Sequence, residues 1–119
     1  MPYQSILEKL VKRIPGAIGA ILVDWEGEAV QEFCHCDPYE IRFTAAHQVI
    51  LLSQLREMQN RSDRKETIED LVVTSSNAHL VIGSIDDEYS LVLSIDRSSP
   101  LQPALHHFRV AVAELRKEI

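Results

Sequence analysis

Residues 17–23 read Ala-Ile-Gly-Ala-Ile-Leu-Val, an apolar run without a polar side chain. Pro15 and Gly16 interrupt the chain just before it, and the run has the length of a strand, too short for a buried helix. Successive side chains of a strand point to opposite faces. A strand that is apolar at every position therefore needs cover above and below, which places it inside a sheet with a layer on each side. The rest of the chain has to supply that sheet and both layers.

Before the run, Ile6, Leu7, Leu10, Val11 and Ile14 recur at helical spacing, with Glu8, Lys9, Lys12 and Arg13 opposite, so residues 5–14 are predicted as an amphipathic helix. After it, Asp24-Trp25-Glu26-Gly27 is a turn signal with glycine where positive φ is tolerated. Residues 28–35 then alternate polar with apolar, completing a hairpin. Asp37-Pro38 joins an N-cap to a proline in the first turn, and nothing breaks a helix before about Met58. That helix carries Ile41, Phe43, Ala45, Ala46, Val49, Ile50, Leu51, Leu52, Leu55 and Met58, spread too widely for one stripe. One face can pack on the sheet, and the remainder calls for a second partner. The polar run 60–66 reads as a mobile connection.

Strand signals at 68–75, 78–85 and 89–96, joined by Ser76-Asn77 and Asp86-Asp87-Glu88, read as a meander. Pro100 and Pro103 open a last helix. Its Leu101, Ala104, Leu105, Phe108, Val112, Leu115 and Ile119 follow the helical repeat, and Arg116 and Lys117 suit its C-terminal dipole. The order is αββαβββα, an α+β fold in a single domain over residues 1–119. A chain of 119 residues is long enough for one core without cross-links.

Composition narrows the function. Eighteen acidic against 12 basic residues give a net charge of -6, which repels a phosphate backbone and argues against nucleic acid as a partner. No apolar run approaches the roughly 20 residues of a membrane span. Charges interrupt what would be the hydrophobic part of a signal peptide, so a cytoplasmic location and no membrane insertion are expected. Cys34 and Cys36 cannot make a secreted-type disulfide framework, and a bond between them would be strained in an extended strand. Both read as reduced.

No GxxxxGK loop is present, and glycines at 16, 19, 27 and 83 are too dispersed for a GxGxxG fingerprint. Cys34-His35-Cys36 has the residue types of a zinc site, yet in a strand the thiols share one face and the imidazole takes the other. His47, His79, His106 and His107 show no spacing that would converge on it. Neither a metal nor a cofactor is expected. No feature marks a thiolate beside a base and an oxyanion site, so the chain does not read as an enzyme. His106 and His107 diverge by about 100° on their helix, which predicts one half-buried and one solvated ring. Asp86-Asp87-Glu88 reads as a solvated hairpin tip more readily than as a cation site. Trp25 is open between a binding hot spot and a cap on its own hairpin. Arg42, Arg56, Arg61 and Arg64 could lend a cation to a transferring phosphate, although surface arginines ordinarily serve solubility.

Taken together, the segments IPGAIGAILVDWEGEAV, FTAAHQVILLSQL, LVVTSSNAHLVIGSI and DEYSLVLSI, between a short first helix and an amphipathic last one, resemble the roadblock family of dynein light chain-like proteins. The resemblance spans residues 5–118. Trp25 stands at a turn position more often polar, and Cys34-His35-Cys36 matches no fixed motif of the family. The resemblance implies a five-stranded antiparallel sheet in the order 2-1-5-4-3, with the long helix on one face and both terminal helices on the other. It also implies a homodimer built on the long helix and the outer edge of the third strand, joining two sheets into one of ten strands. Ile41, Ala45, Leu52, Leu55, Leu71 and Val73 are the candidate interface residues. The residues agree in part: Glu28, Gln31 and Glu32 blunt one edge of the sheet, while Asp70 to Thr74 leave the other inviting to pairing.

Such proteins are non-enzymatic regulators or scaffolds of Ras-like small GTPases, or links within motor complexes. The expectation is therefore a homodimeric regulator of a small GTPase, possessing no cofactor. Two rival readings stand beside it: a small-molecule or thiol redox sensor centred on Cys34 and Cys36, and an adaptor unrelated to GTPases.

Overall fold

The computed structural model describes residues 2–61 and 68–119. It contains α1 (Pro2–Arg13), β1 (Ala17–Asp24), β2 (Ala29–Cys34), α2 (Pro38–Asn60), β3 (Asp70–Thr74), β4 (Ala78–Ser84), β5 (Tyr89–Asp96) and α3 (Leu101–Glu118). The strands form one antiparallel sheet in the order β2-β1-β5-β4-β3. Both the order and the αββαβββα sequence are those expected.

The apolar run does what its lack of alternation demands. Ala20 and Leu22 of β1 face α1 and α3, while Ile21 and Val23 face α2, and all four are fully buried. β5 repeats the division, with Leu91, Leu93 and Ile95 on the first face and Val92 on the second. Ile6, Leu7, Leu10 and Val11 of α1 and Ala104, Phe108, Ala111, Val112 and Leu115 of α3 cover the first face. Ile41, Ala45, Val49 and Leu52 of α2 cover the second.

Two glycines let these layers close. A Cβ on Gly19 would lie 2.5 Å from Cys34 Cβ and 2.7 Å from Ile41 Cδ1, so its absence allows α2 to settle onto β1. A Cβ on Gly83 would come within 2.7 Å of the Phe108 ring, which makes Gly83 the seat of that ring. The turns are as legible. Gly27 has φ 86°, Asp24 Oδ1 accepts the N–H groups of Glu26 and Glu28, and Asp86 Oδ1 accepts those of Glu88 and Tyr89. Asp37 caps α2, accepting the Tyr39 N–H at 3.0 Å with Pro38 as the first helical residue.

Boundaries differ from the sequence reading where side-chain pattern is a poor guide. α1 begins at Pro2, which fits a first helical turn, and Tyr3 extends its apolar stripe by packing, half-buried, against the core. β2 and β3 are shorter than their alternation suggested. Beyond Asn60 and Arg61, the polar connection 60–66 lies outside the described residues.

Candidate functional site

α2 lies over β1, β2 and β5 and reaches β4, while β3 on the outer edge stays largely uncovered. Leu71 and Val73 of β3 project to the α2 side of the sheet, paired with Ile82 and Leu80 of β4. The first four residues of β3 and Leu80 are only half-buried. Thr44, Gln48, Leu51 and Leu55 form the flank of α2 turned toward this open part, and Leu51 is 37% exposed. Between helix and sheet runs a groove of about 100 Å³, lined by Cys36, Glu40, Ile41, Thr44, Leu80, Val92 and Ser94. Beside it, the outer edge of β3 has no strand partner among the described residues. Half-buried apolar side chains beside an open strand edge make a surface for pairing.

The six residues singled out from sequence divide across this geometry. Leu55, Leu71 and Val73 lie at the open surface, half-buried. Ile41, Ala45 and Leu52 do not: they are at most 4% exposed and pack on the protomer's own sheet. Positions 41, 45, 49 and 52 make the core stripe, and 44, 48, 51 and 55 make its neighbour. Leu51 and Leu80 were missed, although the helical spacing of Leu51 and Leu55 would have found the first of them.

No family model matches the sequence, and no curated protein matches it. Solved structures do match. A roadblock/LC7 domain from Streptomyces avermitilis superposes with TM-score 0.86 at 19% identity, over 97% of this chain and 95% of that one. MglB of Myxococcus xanthus gives TM-score 0.86 at 14% identity, over 98% and 94%. The chain has the roadblock fold. LokiProfilin2 in complex with rabbit actin also matches, with TM-score 0.64 at 14% identity over 99% and 98% of the two chains. A roadblock-like architecture thus serves proteins of very different names, and the partner has to be argued from surfaces.

On this roadblock fold the candidate phosphate-directed arginines are engaged at home. Arg42 Nε donates to Glu32 Oε2 at 2.6 Å and its NH2 group to Glu32 Oε1, which raises the guanidinium pKa further. Arg56 donates to the Ile68 carbonyl at 3.0 Å, and Arg61 pairs with Glu57 at 2.9 Å. Arg64 lies outside the described residues.

The cysteines depart from the extended geometry assumed for them. β2 ends at Cys34, and His35 and Cys36 lie in a bend before α2. Cys34 Sγ donates to the Cys36 carbonyl at 3.2 Å, and Cys36 Sγ donates to the Asp37 carbonyl at 3.5 Å. Burial, reinforced by the Cys34 thiol and the Glu40 carboxylate, pushes the Cys36 thiol up to about 11 from 9.0. Redox-sensing cysteines have depressed pKa values and accessible thiolates, so this environment disfavours the sensor reading. Iodoacetamide at pH 8 should alkylate Cys36 on the order of 10-fold more slowly than an ordinary thiol, since the loss of thiolate with each unit of pKa is about half offset by the greater nucleophilicity of the thiolate that remains. Mass spectrometry of timed digests measures this, and alkylation at the ordinary rate would show the thiol to be unprotected.

The histidines do not assemble. His35 meets the Phe33 ring edge-on, His47 Nδ1 sits 2.8 Å from the Phe43 carbonyl, and His79 is buried against Thr74 Oγ1 at 2.7 Å. His106 is exposed and His107 half-buried, as their divergence on α3 predicts. Among the described residues no three His, Cys, Asp or Glu side chains converge in a way that could hold a metal ion. No helix among them is long and apolar enough to cross a membrane.

Proposed function

We propose that two copies of the chain join through the β3 edges and the adjoining flanks of α2, and that the dimer is a non-enzymatic regulator or scaffold of a Ras-like small GTPase. The observation that carries this reading is the open edge of β3 beside the half-buried Leu55, Leu71, Val73 and Leu80 and the exposed Leu51. A two-fold contact puts the same patch on both copies, so edge meets edge and flank meets flank. Antiparallel pairing of two β3 strands extends five strands to ten. Gln48 Oε1, on the same flank, is buried without a hydrogen-bond partner among the described residues. A donor from a second copy would remove that cost.

The GTPase part of the proposal is supported by the roadblock resemblance of the sequence together with the shared fold. A regulator of this kind needs no catalytic group of its own. It binds one switch conformation of the GTPase better than the other and shifts the population accordingly. The engagement of Arg42, Arg56 and Arg61 within the protomer fits a conformational mechanism better than a donated arginine. The test is a pull-down from the native host scored for a bound small GTPase. The match to LokiProfilin2 in its actin complex favours a second reading, an adaptor for a different partner. The same pull-down separates the two.

A further inference from the structure

We infer that the chain carries a binding site for a small free carboxylic acid built on a single ring or a short branched chain, set between the end of α1 and the first turn of α3. Neither α2 nor the β3 edge contributes to the site, so it stands whether or not the chain regulates a GTPase. A pocket of about 200 Å³ opens there. Ile14 and Ala104, both buried in the core cluster, and the rings of Pro15, Pro100 and Pro103 make its wall apolar. An engineered apolar cavity of about 150 Å³ takes up benzene. A pocket of this volume therefore suits one ring with its substituent and is too small for a long acyl chain.

The chain around the pocket holds its shape. Ser99 Oγ donates to the Pro15 carbonyl, and the Asp96 N–H donates to the Gly16 carbonyl at 2.8 Å, which fastens the α1–β1 turn to the β5–α3 turn. Gly16 has φ 85°, and a Cβ on it would lie 3.0 Å from Ser99 Cβ, so the two turns approach at a spacing and a backbone angle that favour glycine. The three prolines have φ fixed by their rings. A wall already ordered in this way loses little entropy when a ligand enters, which removes a cost that ordinarily opposes small ligands.

The polar groups of the wall select the substituent. Exposed Arg13 and half-buried His107 line the pocket beside the prolines. Among the described residues Arg13 has no ion-pair partner, in contrast to Lys12, Arg42, Arg61 and Arg109. Asp96, the acid of the β5–α3 turn, spends its Oδ1 on the Ser98 N–H and hydroxyl at 2.9 and 2.6 Å. In the adjoining cleft between the two helices Lys9 and Glu114 offset one another. A guanidinium meets a carboxylate with two parallel N–H bonds, and an imidazole N–H supplies a further donor. One fork and one ring nitrogen match a monoanion, whereas a phosphate ester would leave oxygens without donors and a cationic ligand would be repelled by Arg13.

The full chain, isotope-labelled for amide NMR, is titrated with benzoate, benzamide and benzylamine, which share a ring and differ in charge. The expected result is saturable binding of benzoate with Kd on the order of 1 mM or tighter. The largest shifts should fall at Arg13, Ile14, Gly16, Ser99, Ala104 and His107, and benzamide should bind at least about 10-fold more weakly. Arg13 is exposed and outside the core, so its variants should fold. Arg13→Gln should lower benzoate affinity about 10-fold and leave benzamide unchanged. Arg13→Glu should reject benzoate and raise the affinity for benzylamine. Lys117→Gln, in the last turn of α3, should change nothing. Shifts that never saturate or that scatter over the surface, benzoate binding no tighter than benzamide, or undiminished benzoate affinity in Arg13→Gln would overturn the inference.

Discussion

Leu52→Asp is expected to unfold the protomer, whereas Leu55→Asp is expected to leave it folded and separate the copies. The two leucines are one turn apart, and sequence alone assigns them the same role. Leu52 is 2% exposed, in a cluster with Ile21, Ile41, Ile82 and Val92. A carboxylate there has no partner and no water, at a cost of several kcal/mol, a large share of the ~5–15 kcal/mol that holds a domain together. Leu55 is half-buried at the open flank. A carboxylate there reaches solvent in the monomer and is trapped only when a second copy covers it. Far-UV circular dichroism should show lost structure for Leu52→Asp alone. Sedimentation at micromolar concentration should give twice 13.5 kDa for the wild type and 13.5 kDa for Leu55→Asp. A wild type that sediments as a monomer, or a Leu55→Asp chain that remains dimeric, would remove the proposed contact.

Phe108→Ala should be the most damaging truncation on the other face. The ring is 1% exposed, lies over Gly83 in van der Waals contact, and joins α3 to β4. Removing it costs about 3–5 kcal/mol, transfer and cavity together, and lowers Tm by on the order of 10 °C or more in a domain of this size. Gly83→Ala should destabilise as well, because the new methyl meets a ring that cannot bend away. Combined, the two changes should cost less than their sum, since the methyl then occupies part of the space the ring left. Thermal unfolding of all four proteins measures the coupling, and strict additivity would mean that ring and glycine do not share that space.

The sheet and its layers were readable because single residues force them. The unalternated run 17–23 needs two covers, Asp37-Pro38 can only open a helix, and Gly27 closes a turn at φ 86°. The site was half readable. That α2 carries too much apolar surface for one sheet contact is visible in its composition, but the division of that surface is not. Ile41, Ala45 and Leu52 look as available as Leu55 until the sheet takes them. Phe43 and Ile50, which the structure leaves exposed, belonged to the same apolar excess, and Trp25 stayed open between two roles until its side chain was seen standing free of the hairpin. The cysteine geometry was misjudged for another reason. Strand alternation was extended through residue 36, whereas β2 stops at Cys34 and a bend delivers the chain to the Asp37 cap.

The most direct test of the account is the affinity of the protein, in its proposed dimeric form, for a small GTPase of its host, measured separately in the GDP form and in the form loaded with a non-hydrolysable GTP analogue. The hydrolysis rate at saturating dimer completes the measurement. A regulator must discriminate, because a ligand indifferent to state shifts no population however tightly it binds. The account predicts binding that differs between the two forms, with a preference for the GTP form and faster hydrolysis marking an activator. Equal affinity would reduce the role to a scaffold, and failure to bind any host GTPase in either form would contradict the account.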